Sequence, residues 1–154
     1  MYSNSYVTLR SKDNLDLFSK NTPYEFTNQL CTTLNYENKT KVALSEIHFP
    51  LNFRFDDKQL DINQIFILSD LVDDSIVGST RLNILKVVTI NKGGSALKKY
   101  SQAEIFQNLF FFPLNRNSIN SISIRITDSS GNILNPDNSK LTKFDETFVV
   151  LQFK

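Results

Sequence analysis

From Ile119 to Thr127 the chain reads INSISIRIT, with Ile122, Ile124 and Ile126 alternating without a break with Ser121, Ser123, Arg125 and Thr127. A period of two puts the three isoleucines on one face of an extended segment and the polar residues on the other, whereas a helix would scatter both sets around its axis. This segment is therefore predicted to be a strand with one face buried and the other wet, and a buried face needs a second layer to cover it.

Other segments follow the same rule. Tyr6 to Arg10 (YVTLR) alternates, and Tyr24 to Leu30 places Tyr24, Phe26 and Leu30 between polar residues. Lys41 to Phe49 (KVALSEIHF) reads as a strand with Ala43, Ile47 and Phe49 on one face and Val42 and Leu44 on the other, ended by Pro50, which has no amide hydrogen to donate. Gln64 to Leu68 (QIFIL) is apolar without alternation, as expected of a central strand covered on both faces. Leu82 to Ile90 adds another strand, and Thr147 to Lys154 (TFVVLQFK) opposes Val149, Leu151 and Phe153 to Phe148, Val150 and Gln152. A terminal strand so apolar is expected inside a sheet.

Between the strands lie turn-forming stretches. Asn35 to Thr40, Gly78, Lys92-Gly93-Gly94-Ser95, Asp128 to Asn132 and Asn135 to Asn138 carry turn chemistry. The polar stretch Ser11 to Pro23 is predicted to be a long loop anchored by Leu15, Leu17 and Phe18, and Leu51 to Asn63 a surface loop pinned by Phe53 and Phe55. Ser101 to Leu109 is ambiguous: Ser101 and Glu104 have capping-box spacing, yet Phe110, Phe111 and Phe112 run straight into Pro113, so a short helix and an aromatic edge strand both fit.

Thirteen Phe, five Tyr, no Trp and only four Gly agree with pleated, half-buried surfaces. At 154 residues the chain suits one domain able to bury roughly two thirds of its unfolded surface. The expectation is a single all-β domain over residues 1–154, an antiparallel β-sandwich, jelly-roll-like, with at most one short helix.

Charge narrows the function classes. Residues 1–75 carry 7 basic and 11 acidic side chains and residues 76–154 carry 10 and 5, an asymmetry far short of the basic footprint of a nucleic-acid binder. No apolar run of signal-peptide type opens the chain and none approaches the roughly 20 residues of a membrane span, so synthesis in an intracellular, reducing compartment is the expectation.

Groups with chemical potential each have a plainer reading. His48, the sole histidine, has only Glu46 two residues away on its face, and Cys31 has no partner at metal or nucleophile spacing; both are read as structural. Asp56, Asp57, Asp61, Asp70, Asp73 and Asp74 lack the glycine and distal Glu of a calcium loop and are read as solvated acids. Lys92 to Ser95 lacks phosphate-loop spacing, and Asn38-Lys39-Thr40 matches a glycosylation sequon that needs secretion to be used. No catalytic residue, cofactor or metal ligand is assigned. Three consecutive aromatics cannot all face one core of a strand, so Phe110, Phe111 and Phe112, with Lys98 and Lys99 nearby, are the candidate interface residues, at least one of the aromatics facing a subunit contact; a strand buried on both faces is the alternative.

Three blocks taken together carry a more specific likeness: Tyr6-Val7-Thr8-Leu9, then Phe26-Thr27-Asn28-Gln29-Leu30, then Lys41 to Pro50 with its VALSEIHFP phrase. Ile65 to Val72, Val77-Gly78 and Leu85 continue it, as do Ile122 to Asp128 with Gly131 and the closing Val150 to Lys154. In this order the blocks resemble uncharacterised, capsid-associated proteins of Polinton (Maverick) elements and adintovirus-like DNA viruses. The chain departs from that pattern between Pro50 and Gln64, where the relatives carry a long insertion, and at Lys86 where an arginine is expected.

The resemblance implies a non-enzymatic virion component, a minor capsid, spike or fibre-head module made in the host cytoplasm, self-associating and contacting other capsid proteins. The alternative is a carbohydrate- or peptide-binding sandwich using exposed Tyr2, Tyr36 and Tyr100, and a metal-dependent hydrolase built on Asp70, Asp73 or Asp74 is the remaining reading.

Overall fold

The computed structural model describes residues 4–51, 53–54, 62–90, 101–136 and 145–154. In chain order the strands are β1 (Ser5–Arg10), β2 (Glu25–Asn35), β3 (Lys41–Pro50), β4 (Phe53–Arg54), β5 (Gln64–Ser69), β6 (Ser75–Val77), β7 (Thr80–Leu82), β8 (Ile84–Thr89), β9 (Ser101–Ile105), β10 (Phe112–Pro113), β11 (Ser118–Thr127), β12 (Asn135–Pro136) and β13 (Phe148–Phe153). All described pairings are antiparallel.

Two sheets hold the principal strands. One has the order β1-β13-β3, with β9 and β10 both lying along the far side of β3, and the other has the order β2-β11-β5-β8. Because β9 faces Glu46–Pro50 and β10 faces Lys41–Val42, they are successive pieces of one interrupted strand. Eight principal strands then remain, and the first pairs with the last (β1–β13), the second with the seventh (β2–β11), the third with the sixth (β3–β9/β10) and the fourth with the fifth (β5–β8). That nested pairing, split over two unclosed sheets, is the jelly-roll winding of a β-sandwich.

The core lies between the sheets. Leu9, Val42, Leu44, Ile47, Phe49, Val149, Leu151 and Phe153 of the first sheet form one buried cluster with Phe26, Ile65, Ile67, Ile122, Ile124 and Ile126 of the second. Burying each such side chain contributes about 1.5–3 kcal/mol. The alternation of Ile122, Ile124 and Ile126 is realised as predicted: all three are fully buried in a strand flanked by β2 and β5. The chain's last strand, β13, is likewise interior, between β1 and β3.

The continuous run of β5 is explained by two coverings. Ile65 and Ile67 enter the main core, while Phe66 and Leu68 join Ile84 in a second cluster capped by Val77 and Leu82 of the β6–β7 hairpin. Gly78, in the left-handed region at φ 57°, makes the turn of that hairpin, where Val77 pairs with Thr80.

One open alternative is decided and two sequence expectations are corrected. The helix alternative at Ser101 to Leu109 is replaced by strand β9, because its main chain pairs with β3 from Glu46 to Pro50 and that ladder outweighs the capping signal. In β3 the predicted faces are mixed: Val42 and Leu44 share the core with Ile47 and Phe49, because a register shift against β13 at Ser45 inserts one residue and reverses the phase of the alternation. In the Ser11 to Pro23 loop, Leu15 and Leu17 are exposed and anchor nothing.

Amide side chains hold that loop instead. Asn21 donates from Nδ2 to Thr27 O (2.9 Å) and accepts from Thr27 N (3.0 Å), and Asn14 Oδ1 accepts from Gln29 N (3.0 Å), so the loop covers the free edge of β2 with polar groups the main chain requires. Asn14 has a φ of 61°, a conformation asparagine tolerates better than most residues.

Candidate functional site

The outer edge of the first sheet carries the candidate interface. Glu46 faces Ile105 while Val42 faces Phe112, so seven positions of the edge chain run beside four of β3 and three extra residues are thrown outward. The excursion is pinned on both sides, by Phe106 N donating to Ser45 O (3.0 Å) and Leu114 N donating to Thr40 O (3.2 Å). Phe110 is expelled by it and is 65% exposed, and Ile105 just before it is 73% exposed.

The three aromatics take three different roles. Phe112 packs against the main core, Phe111 is half-buried with Lys154 Nζ 5.5 Å from its ring centre, and Phe110 leans on Phe112 with centroids 4.8 Å apart. Phe106 is partly buried beneath Lys86 Nζ, 4.7 Å from the ring centre, a cation–π contact. Lys98 and Lys99 lie outside the described residues, as do Tyr2, Tyr100, Asp56, Asp57, Asp61, Phe55 and the Lys92 to Ser95 turn. Ile105 was missed from sequence because nothing in SQAEI marks which face stays open.

A concave feature lies at the opposite edge of the sheets, where the edge strands β1 and β2 approach. There a cleft of about 500 Å³ is lined by residues 6–9 of β1, Asp13 and Asn14 of the loop, and residues of β2 from Asn28 to Leu34. Its β2 wall is irregular: Gln29 faces Ser121 and Leu34 faces Ile119, so Leu30 to Thr33 arch away from β11. Cys31, an exposed free thiol, sits on this arch. The deep end is closed by Asn28, 4% exposed, which accepts from Arg10 N and donates to Arg10 O, both at 2.9 Å. Asn28 was missed from sequence; the signal that marks it is its phase, shared with Tyr24, Phe26 and Leu30.

His48 Nε2 lies 2.7 Å from Glu46 Oε1 on the half-exposed outer face of β3, with the imidazole edge-on to Phe148. Asp70 is engaged by the chain itself: Oδ1 accepts from Ser123 N and Oδ2 from Arg116 Nη2, both at 2.9 Å, while Arg116 Nη1 donates to Asp70 O at 2.7 Å. This ties the turn after β5 to the middle of β11 and to the residues just before it, whereas Asp73 and Asp74 are exposed. Among the described residues no group of three or more His, Cys, Asp or Glu is placed to hold a metal ion. Among the described residues there is no helix long and apolar enough to cross a membrane.

Tyr36 is not the exposed stacking residue expected. Its ring stacks on Phe153 at 4.8 Å and 11°, and its hydroxyl lies 3.0 Å from Ser5 Oγ, because the residue closes one end of the core. Tyr24 is fully buried with its hydroxyl donating to Pro50 O at 2.8 Å. Burial pushes its phenol well above the ordinary range, and the nearby Asp145 carboxylate adds to the shift. Asn38 of the sequon accepts from Asn117 Nδ2.

Compared with protein-family models and with curated proteins, the chain matches none.

Proposed function

We propose that this chain is a non-enzymatic virion structural protein, a minor capsid, spike or fibre-head module of a Polinton-like DNA virus, which acts by assembling with copies of itself and with other capsid proteins. The observation that carries the reading is a sheet edge, unpaired among the described residues, on which Ile105 and Phe110 stand exposed beside the three-residue excursion. Large apolar groups exposed along a sheet edge are costly in a free monomer and are covered when subunits associate. The jelly-roll winding supports the same reading, since capsid domains use it, although lectins and cupins share it and the fold by itself assigns no function.

Light scattering across a concentration series tests the proposal. A defined oligomer that dissociates when Phe110→Ser and Ile105→Ser are combined is the expected result. A protein that stays monomeric at high concentration and is missing from purified particles would overturn it.

A further inference from the structure

The main-chain geometry of β1 points to a second kind of binding. Ser11 N donates to Thr147 O at 2.9 Å, directly across from it in register, which makes that pair hydrogen-bonded. In an antiparallel ladder the bonded pairs alternate, so Leu9, Val7 and Ser5 bond to β13 while Arg10, Thr8 and Tyr6 turn their N–H and C=O to the free side. Arg10 obeys this rule, since its outward pair is taken by the side-chain amide of Asn28. Among the described residues nothing takes the equivalent pairs of Thr8 and Tyr6, and both residues line the cleft.

We infer that the β1–β2 cleft binds an extended, uncharged segment of a partner polypeptide, which adds to β1 as an edge strand through the main-chain groups of Tyr6 and Thr8. Asn28 is the built-in precedent: it presents to Arg10 one carbonyl and one N–H, the two groups a peptide unit offers an edge. A strand entering the cleft would continue that pattern two and four residues further along.

The walls say what its side chains should be. Val7, Leu30 and Leu34 are partly buried apolar residues packed on the core, so every second side chain of the segment would meet an aliphatic floor. Among the described residues of the lining Asp13 alone is formally charged, and it is held by Arg10 Nε at 3.0 Å. A charged side chain entering there would lose hydration without gaining a partner, which selects an uncharged segment. The volume falls within the range of about 300–1,000 Å³ that holds specific ligands. The inference goes beyond the assembly reading and does not rest on it.

Cys31 on the rim supplies the reporter. A set of blocked, uncharged eight-residue peptides, with Thr and Ser alternating with Val, Ile, Leu or Phe, is tested at about 1 mM for slowing the reaction of Cys31 with an aromatic disulfide. Binding members are expected to slow it at least about twofold and to protect the amide hydrogens of Tyr6 and Thr8 from exchange.

Thr8→Pro removes one outward N–H that the ladder does not use and is expected to weaken binding about tenfold. Protein alkylated at Cys31 after folding is expected to lose amide protection to the same extent, which keeps the test decisive if the proline variant fails to fold. The inference is overturned if no peptide in the set slows the reaction, or if protection survives in the alkylated protein.

Discussion

The side-chain amide of Asn28 makes two hydrogen bonds of 2.9 Å with the main chain of Arg10, so that a residue of one sheet's edge strand completes the edge strand of the other. Jelly-roll winding leaves β1 and β2 adjacent but in different sheets, with no ladder between them, and this contact is where the two are sewn together. Replacing Asn28 with Ala leaves both Arg10 groups and a cavity behind. Unfolding in urea should show a loss of about 2–4 kcal/mol; a change under 0.5 kcal/mol would mean that water replaces the amide freely.

Asp70 and Arg116 hold a second junction, and their side chains are 38% and 35% exposed, so charge attraction there is partly screened. Most of the effect should come from hydrogen bonds. Arg116→Ala is expected to cost about 1–2 kcal/mol, with little change between low and high salt. A strong salt dependence would show instead that the ion pair dominates.

Two glycines at positive φ should respond differently. A Cβ at Gly78 (φ 57°) meets nothing within 4 Å, so Gly78→Ala should cost about 1–2 kcal/mol from backbone strain alone. A Cβ at Gly131 (φ 87°) falls 2.8 Å from Leu82 Cδ2, adding a steric clash across to β7. Thermal melts should therefore place Gly131→Ala below Gly78→Ala, and adding Leu82→Ala should recover the steric part in a double-mutant cycle.

Tyr24 makes alkaline stability testable. Its phenol is held protonated in the folded state by burial, while in the unfolded chain it ionises near 10. A raised folded value means that the full stability is present below pH 10 and declines as pH rises beyond it, because the unfolded chain then releases the proton first. Urea midpoints measured from pH 8 to 12 should fall above pH 10, and Tyr24→Phe, less stable at pH 8 through loss of the bond to Pro50 O, should fall less steeply.

Core and surface isoleucines give the simplest contrast. Ile124 is fully buried and Ile76 is 77% exposed. Ile124→Ala should cost about 2–5 kcal/mol and Ile76→Ala less than about 0.5 kcal/mol. Equal effects would contradict the assignment of the alternating isoleucines to the core.

Much of the strand content followed from the sequence because side-chain period is a local property. INSISIRIT had one consistent solution, QIFIL required cover on both faces, and both are realised in β11 and β5. Asn28 stands in the same phase as Tyr24, Phe26 and Leu30, but the reading passed over it, because local pattern gives no partner for a buried amide. The reading failed where a single residue changed the phase, as Ser45 does in β3; at Ser101 to Leu109, where local pattern left helix and edge strand both open, main-chain pairing with β3 selected the strand.

The tertiary structure alone decided which strands became neighbours and which edges stayed open. Pairing of Arg10 with Phe148, or of Gln29 with Ser121, joins residues far apart in the chain, and no local preference encodes it. The exposure of Phe110 depends on a three-residue mismatch with β3, and the cleft beside Tyr6 and Thr8 exists because β1 and β2 end up in separate sheets. Side-chain pattern sets which face of each strand seeks the core; the closure of distant segments around that core determines which polar edges are satisfied and which remain available to a partner.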